Sequence, residues 1–286
     1  MVEIADSLRA WERAGRAFAV ATVTATSGSA PRPVGTSMAV DSEGSVIGNV
    51  SGGCVDGAVY ELCREAIVSG ESSTHTFGYS DESAFAVGLT CGGVIEVLVQ
   101  PSPVPVPEVA PPPPRLLIFG ALDFAAALTT IGVFLGYRVT VCDARPVFAT
   151  PERFPGADVV VDWPHRYLDQ TTVDSRTAIC VLTHDPKFDV PVLTRALRLP
   201  VGYVGALGSR RAHAERLELL RANGVGAEEL ARLRSPIGLD LGGRTPEETA
   251  LSIAAEIVAC HRGGSGRPLS ALSGPIHARL DAAIAS

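Results

Sequence analysis

The chain has 286 residues, of which 46% are hydrophobic and 19% charged, with a formal net charge of −7. This composition is typical of a soluble globular protein, and the length indicates two domains of roughly 150 residues each. The negative charge argues against nucleic-acid binding, which needs a basic surface. No apolar run is long enough to span a membrane, and the N-terminus lacks the pattern of a signal peptide, so we expect a cytoplasmic protein.

Six cysteines are spread along the chain. No pair has the spacing of a metal-binding finger, so we predict no metal site, and without a secretory signal we expect no disulfide framework. Cys63, Cys142 and Cys180 fall in apolar patterns and are predicted core residues. Cys54 and Cys91 differ because glycines flank both.

The first hundred residues are predicted to form a small mixed α/β domain. A loop rich in glycine and proline occupies residues 27–35, and a hairpin is predicted over residues 38–47. The other predicted elements are a helix over Ile4–Gly15, a strand over Ala17–Ala25, a helix from Val55 to Ser69, and strands over His75–Tyr79 and Val94–Val99.

The turn Ser51-Gly52-Gly53-Cys54 just before the second helix is the first candidate site. A helix N-terminus has unpaired N–H groups and a positive dipole end, which favour an anion and lower the pKa of a thiol there. Glycine allows a ligand to approach the backbone closely. We therefore predict that Cys54 is a reactive thiol, with Cys91 as a second thiol beside the same pocket. The alternative is a tight turn in which Cys54 is simply packed.

Residues 101–114 contain eight prolines and are predicted to be a semi-rigid linker between two domains. It would separate a domain over residues 1–100 from a second domain over residues 115–262, which a tail over residues 263–286 follows. Strands and helices alternate in the second domain, with strands predicted at 116–119, 138–142, 159–161, 178–183 and 201–206, and helices at 124–135, 190–197, 210–222 and 246–260. This alternation predicts a Rossmann-like, doubly wound parallel sheet.

The first strand of that sheet leads into a defective dinucleotide-binding pattern. A fingerprint Gly-x-Gly-x-x-Gly/Ala needs an acid about 20 residues later for the ribose hydroxyls. Gly120 and Ala125 fit this scheme, Ala121 lies between its first two glycine positions, and the later Asp143 is correctly placed for the ribose. Leu122 stands where the second glycine should let the backbone approach the pyrophosphate, and Asp123 would repel a phosphate. The context therefore predicts the fold, whereas the local chemistry argues against tight NAD(P) binding.

Two other strand ends carry candidate binding residues, because ligands gather at the carboxyl ends of strands in such sheets. His184 and Asp185 follow one strand, and His184 is either a proton carrier or a structural hydrogen-bonding group. A second turn offers a helix N-terminus and two guanidinium groups, which suit a phosphate or another anion, unless the arginines are only solvated. That turn consists of Gly208, Ser209, Arg210 and Arg211.

Several longer motifs resemble the XdhC/CoxI family of xanthine dehydrogenase accessory factors. In the first domain these are SGSAPRPVGTSMAV, GNVSGGCVDGAVYE and FGYSDESAFAVGLTCGGVIEVLVQP. In the second they are VTVCDARPVFATPERFPGAD, VLTHDPKFD, YVGALGSRRAHAERLELL and SPIGLDLGGRTPEETALSIAAEIVA. The resemblance covers nearly the whole chain. The family commonly has Gly-Ala-Gly-His where this chain has Gly120-Ala121-Leu122-Asp123.

The resemblance implies a protein that binds molybdenum cofactor and helps to deliver it, in sulfurated form, to a molybdenum hydroxylase apoenzyme such as a xanthine or carbon monoxide dehydrogenase. Cys54 would hold the cofactor or relay sulfur, and a cysteine desulfurase and a homodimer are further possibilities. Such a maturation factor is not an enzyme that converts a free metabolite. An NAD(P)-dependent oxidoreductase and a non-catalytic interaction protein with a decayed nucleotide site remain the alternatives.

Overall fold

A computed structural model of the chain describes residues 4–28, 30, 32–78, 93–105 and 112–273. The chain forms two compact units. One comprises Met1–Pro112 and Pro268–Ser286, and the other comprises Pro113–Arg267. The division falls between two prolines of the predicted linker. Residues 106–111 of that linker and residues 274–286 of the predicted tail lie outside the described residues.

The N-terminal unit is built on a five-stranded antiparallel sheet in the order β3-β2-β1-β5-β4. Its elements are α1 (Ala5–Arg13), β1 (Phe18–Ser27), β2 (Ser37–Asp41), β3 (Val46–Gly48), α2 (Asp56–Ser69), β4 (Ser73–Phe77) and β5 (Val94–Pro101).

Both faces of the central strand β1 are covered, because successive side chains point to opposite sides of a sheet. Ala19, Ala21 and Val23 belong to the apolar core that includes residues of α2. Phe18 and Val20 belong to the core on the other face, which includes residues of α1. This double burial explains why the first four residues of β1 are all apolar instead of alternating with polar ones.

The C-terminal unit is a six-stranded, wholly parallel sheet in the order β11-β10-β9-β6-β7-β8. Its strands are β6 (Arg115–Phe119), β7 (Arg138–Cys142), β8 (Asp158–Val160), β9 (Ala178–Val181), β10 (Tyr203–Ala206) and β11 (Leu233–Arg234). Its helices are α3 (Asp123–Phe134), α4 (Pro164–Gln170), α5 (Pro186–Ala196), α6 (Arg210–Ala222), α7 (Ala227–Ala231) and α8 (Pro246–Arg262).

Helices cover both faces of this parallel sheet. Apolar residues of α3 and α8 pack on one face, and those of α4, α5 and α6 pack on the other. The strand order reverses between β6 and β9, which is the topological switch point of a Rossmann sheet. The predicted fold class is therefore confirmed, with a doubly wound parallel sheet following a smaller mixed α/β unit.

The predicted elements are all present among the described residues, but besides two 3-10 turns the sequence pattern missed two short α-helices and one short strand. These are α4, α7 and the two-residue strand β11. Each is too short to show a hydrophobic period, and burial of only Pro164 and Leu168 anchors α4. The strand predicted to reach Tyr79 ends at Phe77, and residues 79–92 lie outside the described part of the chain.

Candidate functional site

The turn that carries Cys54 is shaped by two glycines in the left-handed region of backbone space. Gly52 has φ 71° and Gly53 has φ 118°, and residues other than glycine rarely adopt such positive φ angles. A Cβ added at either glycine would meet nothing within 4 Å. The glycines are therefore required for the path of the backbone, and the space above them is open. Helix α2 begins two residues after Cys54, at Asp56.

A single carboxylate holds this turn together. One oxygen of Asp56 accepts hydrogen bonds from the N–H groups of Val50 (2.8 Å) and Ser51 (3.2 Å). The other oxygen accepts from the Ser51 hydroxyl (3.0 Å) and from the N–H of Gly53. The Ser51 hydroxyl oxygen in turn accepts from the N–H of Val55 at 2.9 Å. Asp56 thus connects the strand end, the glycine turn and the helix start.

Four backbone N–H groups of the turn that precedes α2 already donate to side chains of the chain itself. Those of Val50, Ser51 and Gly53 donate to Asp56, and that of Gly52 donates to Asn49 at 3.1 Å. Because the internal carboxylate takes these donors, the turn offers a ligand its sulfur and its open glycine surface.

Cys54 itself is partly buried and packs at the border of the N-terminal core. It is therefore neither sealed inside the unit nor wholly solvated. Cys63, Cys142 and Cys180 are buried, as predicted. Burial raises the pKa of the Cys63 and Cys142 thiols to about 12, so both are protonated and unreactive at neutral pH. Cys91 lies outside the described residues.

In the C-terminal unit, the turn after β6 admits only glycine at its first position. Gly120 has φ 109°, and a Cβ there would lie 2.7 Å from Cγ2 of Thr183, at the end of β9. The loops on the two sides of the switch point are therefore in direct contact. The next residue, Ala121, is fully buried, and its N–H donates to Oδ2 of Asp143 at 2.9 Å.

Asp143, which was predicted to receive ribose hydroxyls, has both oxygens engaged within the chain. The Arg145 guanidinium donates to Oδ1 at 2.9 Å and to Oδ2 at 2.8 Å, and the Arg145 N–H donates to Oδ1 at 2.9 Å. Burial alone would raise the pKa of Asp143, but the hydrogen bonds from Arg145 and Ala121 outweigh it and lower the pKa. This carboxylate stabilises the turn and is occupied by Arg145.

Arg153 offsets the negative charge that Asp123 places at the start of α3. The Arg153 guanidinium donates to the Ala121 carbonyl and to the Phe148 carbonyl, both at 3.0 Å. It also lies 3.3 Å from Oδ1 of Asp123, whose side chain is 85% exposed. Repulsion of an anion by Asp123, expected from the sequence, is therefore reduced. Leu122 is the half-buried residue that precedes the helix.

The loop after β9 carries two of the predicted site residues, Asp185, which caps a helix, and His184, which is exposed to solvent. Asp185 caps α5 by accepting from the Lys187 N–H at 3.1 Å, and it pairs with the Lys187 ammonium at 2.8 Å. The hydrogen bond from Lys187 lowers the pKa of Asp185. His184 is exposed, so the structure gives it access to a ligand and no fixed role.

A buried ion pair that the sequence did not reveal joins the loops at this edge of the sheet. Arg216 of α6 donates to Asp189 of α5 at 2.9 Å, and both side chains are less than a tenth exposed. The same guanidinium donates to the carbonyl of Leu207 (2.8 Å) and to the hydroxyl of Ser235 (3.0 Å). The Thr183 hydroxyl completes the network by donating to Asp189. The ends of β9, β10 and β11 are thereby held together.

The predicted anion-binding turn after β10 lies at the N-terminus of α6. Gly208 has φ 148°, and the Ser209 hydroxyl caps the helix by accepting from the Ala212 N–H at 3.2 Å. Arg210 and Arg211 are exposed, and Arg211 pairs with Glu215 at 2.9 Å. The turn therefore combines a helix N-terminus with two accessible guanidinium groups.

The fold thus brings most of the predicted site residues to one edge of the parallel sheet, within the C-terminal unit. Gly120, Ala121, Asp143, His184, Asp185 and the 208–211 turn all follow the carboxyl ends of strands. Gly52, Gly53 and Cys54 belong to the N-terminal unit. The sequence did not identify Asp56, Arg145, Arg153, Asp189 and Arg216. Among the pairs that these residues form, only that of Asp143 and Arg145 could have been suspected from the sequence, because the two residues lie two positions apart.

The described parts of the chain contain no group of three or more His, Cys, Asp or Glu side chains placed to hold a metal ion. Their helices are all too short or too polar to cross a lipid bilayer.

Fold and site together define a protein with a glycine–cysteine turn on a small α/β unit, followed by a Rossmann unit with a defective fingerprint. Comparison with known proteins gives the family. Residues 116–257 match the XdhC Rossmann domain, and residues 11–78 match the XdhC and CoxI family. The chain belongs to the XdhC and CoxI family, which confirms the resemblance seen in the sequence.

Individual relatives extend this result. The molybdenum cofactor insertion chaperone PaoD of Escherichia coli (strain K12) is 27% identical, over 85% of this chain and 83% of PaoD. The uncharacterized protein YqeB of the same organism is 30% identical over 84% of this chain, which spans only 43% of YqeB. A crystal structure described as a xanthine dehydrogenase from Bacillus halodurans has a TM-score of 0.74 at 22% identity, over 95% of this chain and 97% of that one. At this identity the likeness concerns the fold.

Proposed function

We propose that this chain binds molybdenum cofactor and delivers it to the apoenzyme of a molybdenum hydroxylase of the xanthine or carbon monoxide dehydrogenase type. Membership of the XdhC and CoxI family supports this function, and so does the similarity to PaoD, which is named as an insertion chaperone. The observation that carries it is the partly buried residue Cys54 beside two glycines with open space above them.

In this proposal Cys54 is a sulfur ligand to the molybdenum of its cargo. Thiolates are soft ligands, and molybdenum in this cofactor is already held by the sulfur atoms of a dithiolene, so a third sulfur donor suits its chemistry. The turn keeps the thiol in place because Asp56 ties the residues on both sides of it. A ligand held by one side chain on an ordered turn is readily released to a partner with more donors.

Within the Rossmann unit, we propose that the turn from Gly208 to Arg211 binds an anionic group such as a phosphate. The helix N-terminus and the two exposed guanidinium groups supply the donors. His184 would contact a ligand at the same edge of the sheet. Binding of NAD(P) has weaker support, because Arg145 occupies the acid that would receive the ribose, and Leu122 stands at the pyrophosphate position.

The proposed partners follow from the cargo. The apoenzyme of a molybdenum hydroxylase receives the cofactor, and a cysteine desulfurase supplies sulfur when the cofactor is delivered in sulfurated form. Because release of molybdenum from Cys54 exchanges one sulfur ligand for another, the chain acts as a carrier and not as an enzyme that converts a metabolite.

The test is a binding experiment with matched cysteine variants of the full chain. Isolated molybdenum cofactor is incubated with the parent, Cys54→Ser and Cys260→Ser, and bound molybdenum is measured after gel filtration. Cys260 is a partly buried cysteine of α8 and serves as the control. We expect Cys54→Ser to lose at least about tenfold in affinity, while Cys260→Ser binds like the parent. Equal binding by all three proteins would contradict the proposed role of Cys54.

A further inference from the structure

A group of aromatic rings and cations at the carboxyl edge of the parallel sheet has no part in the proposed function. We call it the edge cluster, and its members follow β7, β8 and β9 along the chain. It consists of Arg145, Phe148, Trp163, Lys187 and Phe188.

Each member of the edge cluster contacts at least one other member. The Arg145 guanidinium lies 4.5 Å from the centroid of the Phe148 ring and 5.9 Å from that of Phe188. The Trp163 and Phe188 ring centroids are 5.2 Å apart, and the Lys187 ammonium is 4.8 Å from the Phe188 centroid. Phe188 is buried and forms the floor that these contacts share.

The polar and aromatic groups above this floor remain accessible. The Trp163 ring belongs to a residue that is 37% exposed, and the Arg145 side chain is 39% exposed. Two apolar neighbours in sequence, Val147 and Val161, are even more exposed. Tryptophan and arginine both carry planar groups, and both are used in proteins to stack nitrogen heterocycles.

Arg145 is held in position before any ligand arrives. Its two-point contact with Asp143 fixes the guanidinium plane, and the Phe148 ring supports one side of it. Little conformational entropy is then lost when a second planar group stacks on it. The location agrees with a ligand site, because ligands of doubly wound sheets bind outside the carboxyl ends of the strands.

We propose that the edge cluster is a stacking subsite for a planar nitrogen heterocycle whose source is either the pterin of molybdenum cofactor or the base of a nucleotide. The ring stacks on the Arg145 guanidinium and on the Trp163 indole. Lys187, whose side chain is 59% exposed, contributes a positive charge beside the ring. The pterin source rests on the proposed function, whereas the stacking chemistry is common to both sources.

The chain contains two tryptophans, and this makes the test direct. In the full chain carrying Trp11→Phe, fluorescence reports Trp163 alone. This protein is titrated with pterin-6-carboxylate, with adenosine 5′-monophosphate and with ribose 5-phosphate, which has no heterocycle. We expect saturable quenching by the pterin or the nucleotide and none by ribose 5-phosphate. Quenching by the pterin alone assigns the subsite to the cofactor, and quenching by the nucleotide alone assigns it to a nucleotide.

Arg145→Lys tests the stacking itself, because lysine keeps a positive charge beside Asp143 and lacks the planar guanidinium. The matched control is Arg176→Lys, since Arg176 makes the same Asp-x-Arg contact with Asp174, at 2.9 Å, just before β9 at the opposite edge of the sheet. We expect Arg145→Lys to weaken the ring-bearing ligand about tenfold and Arg176→Lys to leave it unchanged.

The proposal is overturned if neither heterocycle quenches Trp163 saturably, or if the two lysine variants bind alike. Failure of the proposed function gives a different result. In that case Cys54→Ser retains molybdenum cofactor, while the titrations of Trp163 are unaffected. Circular dichroism of each variant confirms that the comparison is between folded proteins.

Discussion

Removal of the Asp56 carboxylate is the perturbation that most sharply tests how the Cys54 turn is built. In Asp56→Ala, the carboxylate that accepts from Val50, Ser51 and Gly53 disappears, and α2 loses the acid in its first turn. Asp56→Asn keeps the size of the side chain, but it has one acceptor oxygen and presents an amide to a donor. We expect the alanine variant to be the less stable of the two.

The expected magnitude follows from the hydrogen bonds. Four donors reach the carboxylate, and hydrogen bonds to a charged group contribute about 1.5–3 kcal/mol each at most. Asp56 is only half-buried, so water replaces several of these contacts in the variant. Loss of the favourable charge at the helix N-terminus adds about 0.3–1 kcal/mol. We predict a decrease of about 2–3 kcal/mol in the free energy of unfolding of the N-terminal unit.

The assay uses the position of the two tryptophans. With Trp163→Phe as the background, Trp11 reports unfolding of the N-terminal unit, where it packs against Phe18 at a centroid distance of 5.9 Å. Urea unfolding followed by fluorescence then gives the free energy for each variant. Asp6→Ala is the control, because the Asp6 side chain is 98% exposed and its ion pair with Arg9 contributes little. If Asp56→Ala and Asp6→Ala unfold at the same urea concentration, Asp56 does not hold the turn.

Three further predictions concern the Rossmann unit. Arg216→Met leaves the buried Asp189 unpaired and should cost about 3–5 kcal/mol in urea unfolding reported by Trp163, whereas a change below about 1 kcal/mol would argue against the network. Gly120→Ala places a Cβ 2.7 Å from Thr183 and requires alanine to adopt a positive φ, so it should lower the midpoint of thermal unfolding by several degrees. An unchanged midpoint would show that the two loops separate easily. The pKa of Asp143 lies below its ordinary value of 3.8, so its ionised form contributes stability above about pH 4 that is lost as the pH falls. The difference in the free energy of unfolding between the parent and Asp143→Asn should therefore shrink on acidification. A difference that stays constant with pH would contradict this.

The sequence predicted the parts of the fold that repeat a local pattern. The hydrophobic period of α2 and α8 and the short apolar runs of β6 and β7 gave the element types, and their alternation gave a parallel sheet with both faces covered. The predicted start of the last helix at residue 246 also agrees with the observed start of α8. Short elements such as α4 and β11 carry too few residues for a period to be seen.

The site was harder to predict because its geometry depends on pairs that have no periodic signal. Asp189 and Arg216 lie on different helices, and nothing in their neighbourhoods indicates that they pair. Asp56 lies within the motif that drew attention to Cys54, yet nothing in the motif indicated that it accepts hydrogen bonds from Val50, Ser51 and Gly53. Arg145 was overlooked because the fingerprint directs attention to the acid, Asp143, and not to what occupies it.

The most direct test of the account is molybdenum K-edge X-ray absorption on the full chain loaded with molybdenum cofactor. The account predicts that molybdenum has one more sulfur neighbour in the parent than in Cys54→Ser, and that Cys260→Ser gives the parent spectrum. A sulfur shell that is the same in the parent and Cys54→Ser, at equal molybdenum content, would contradict it.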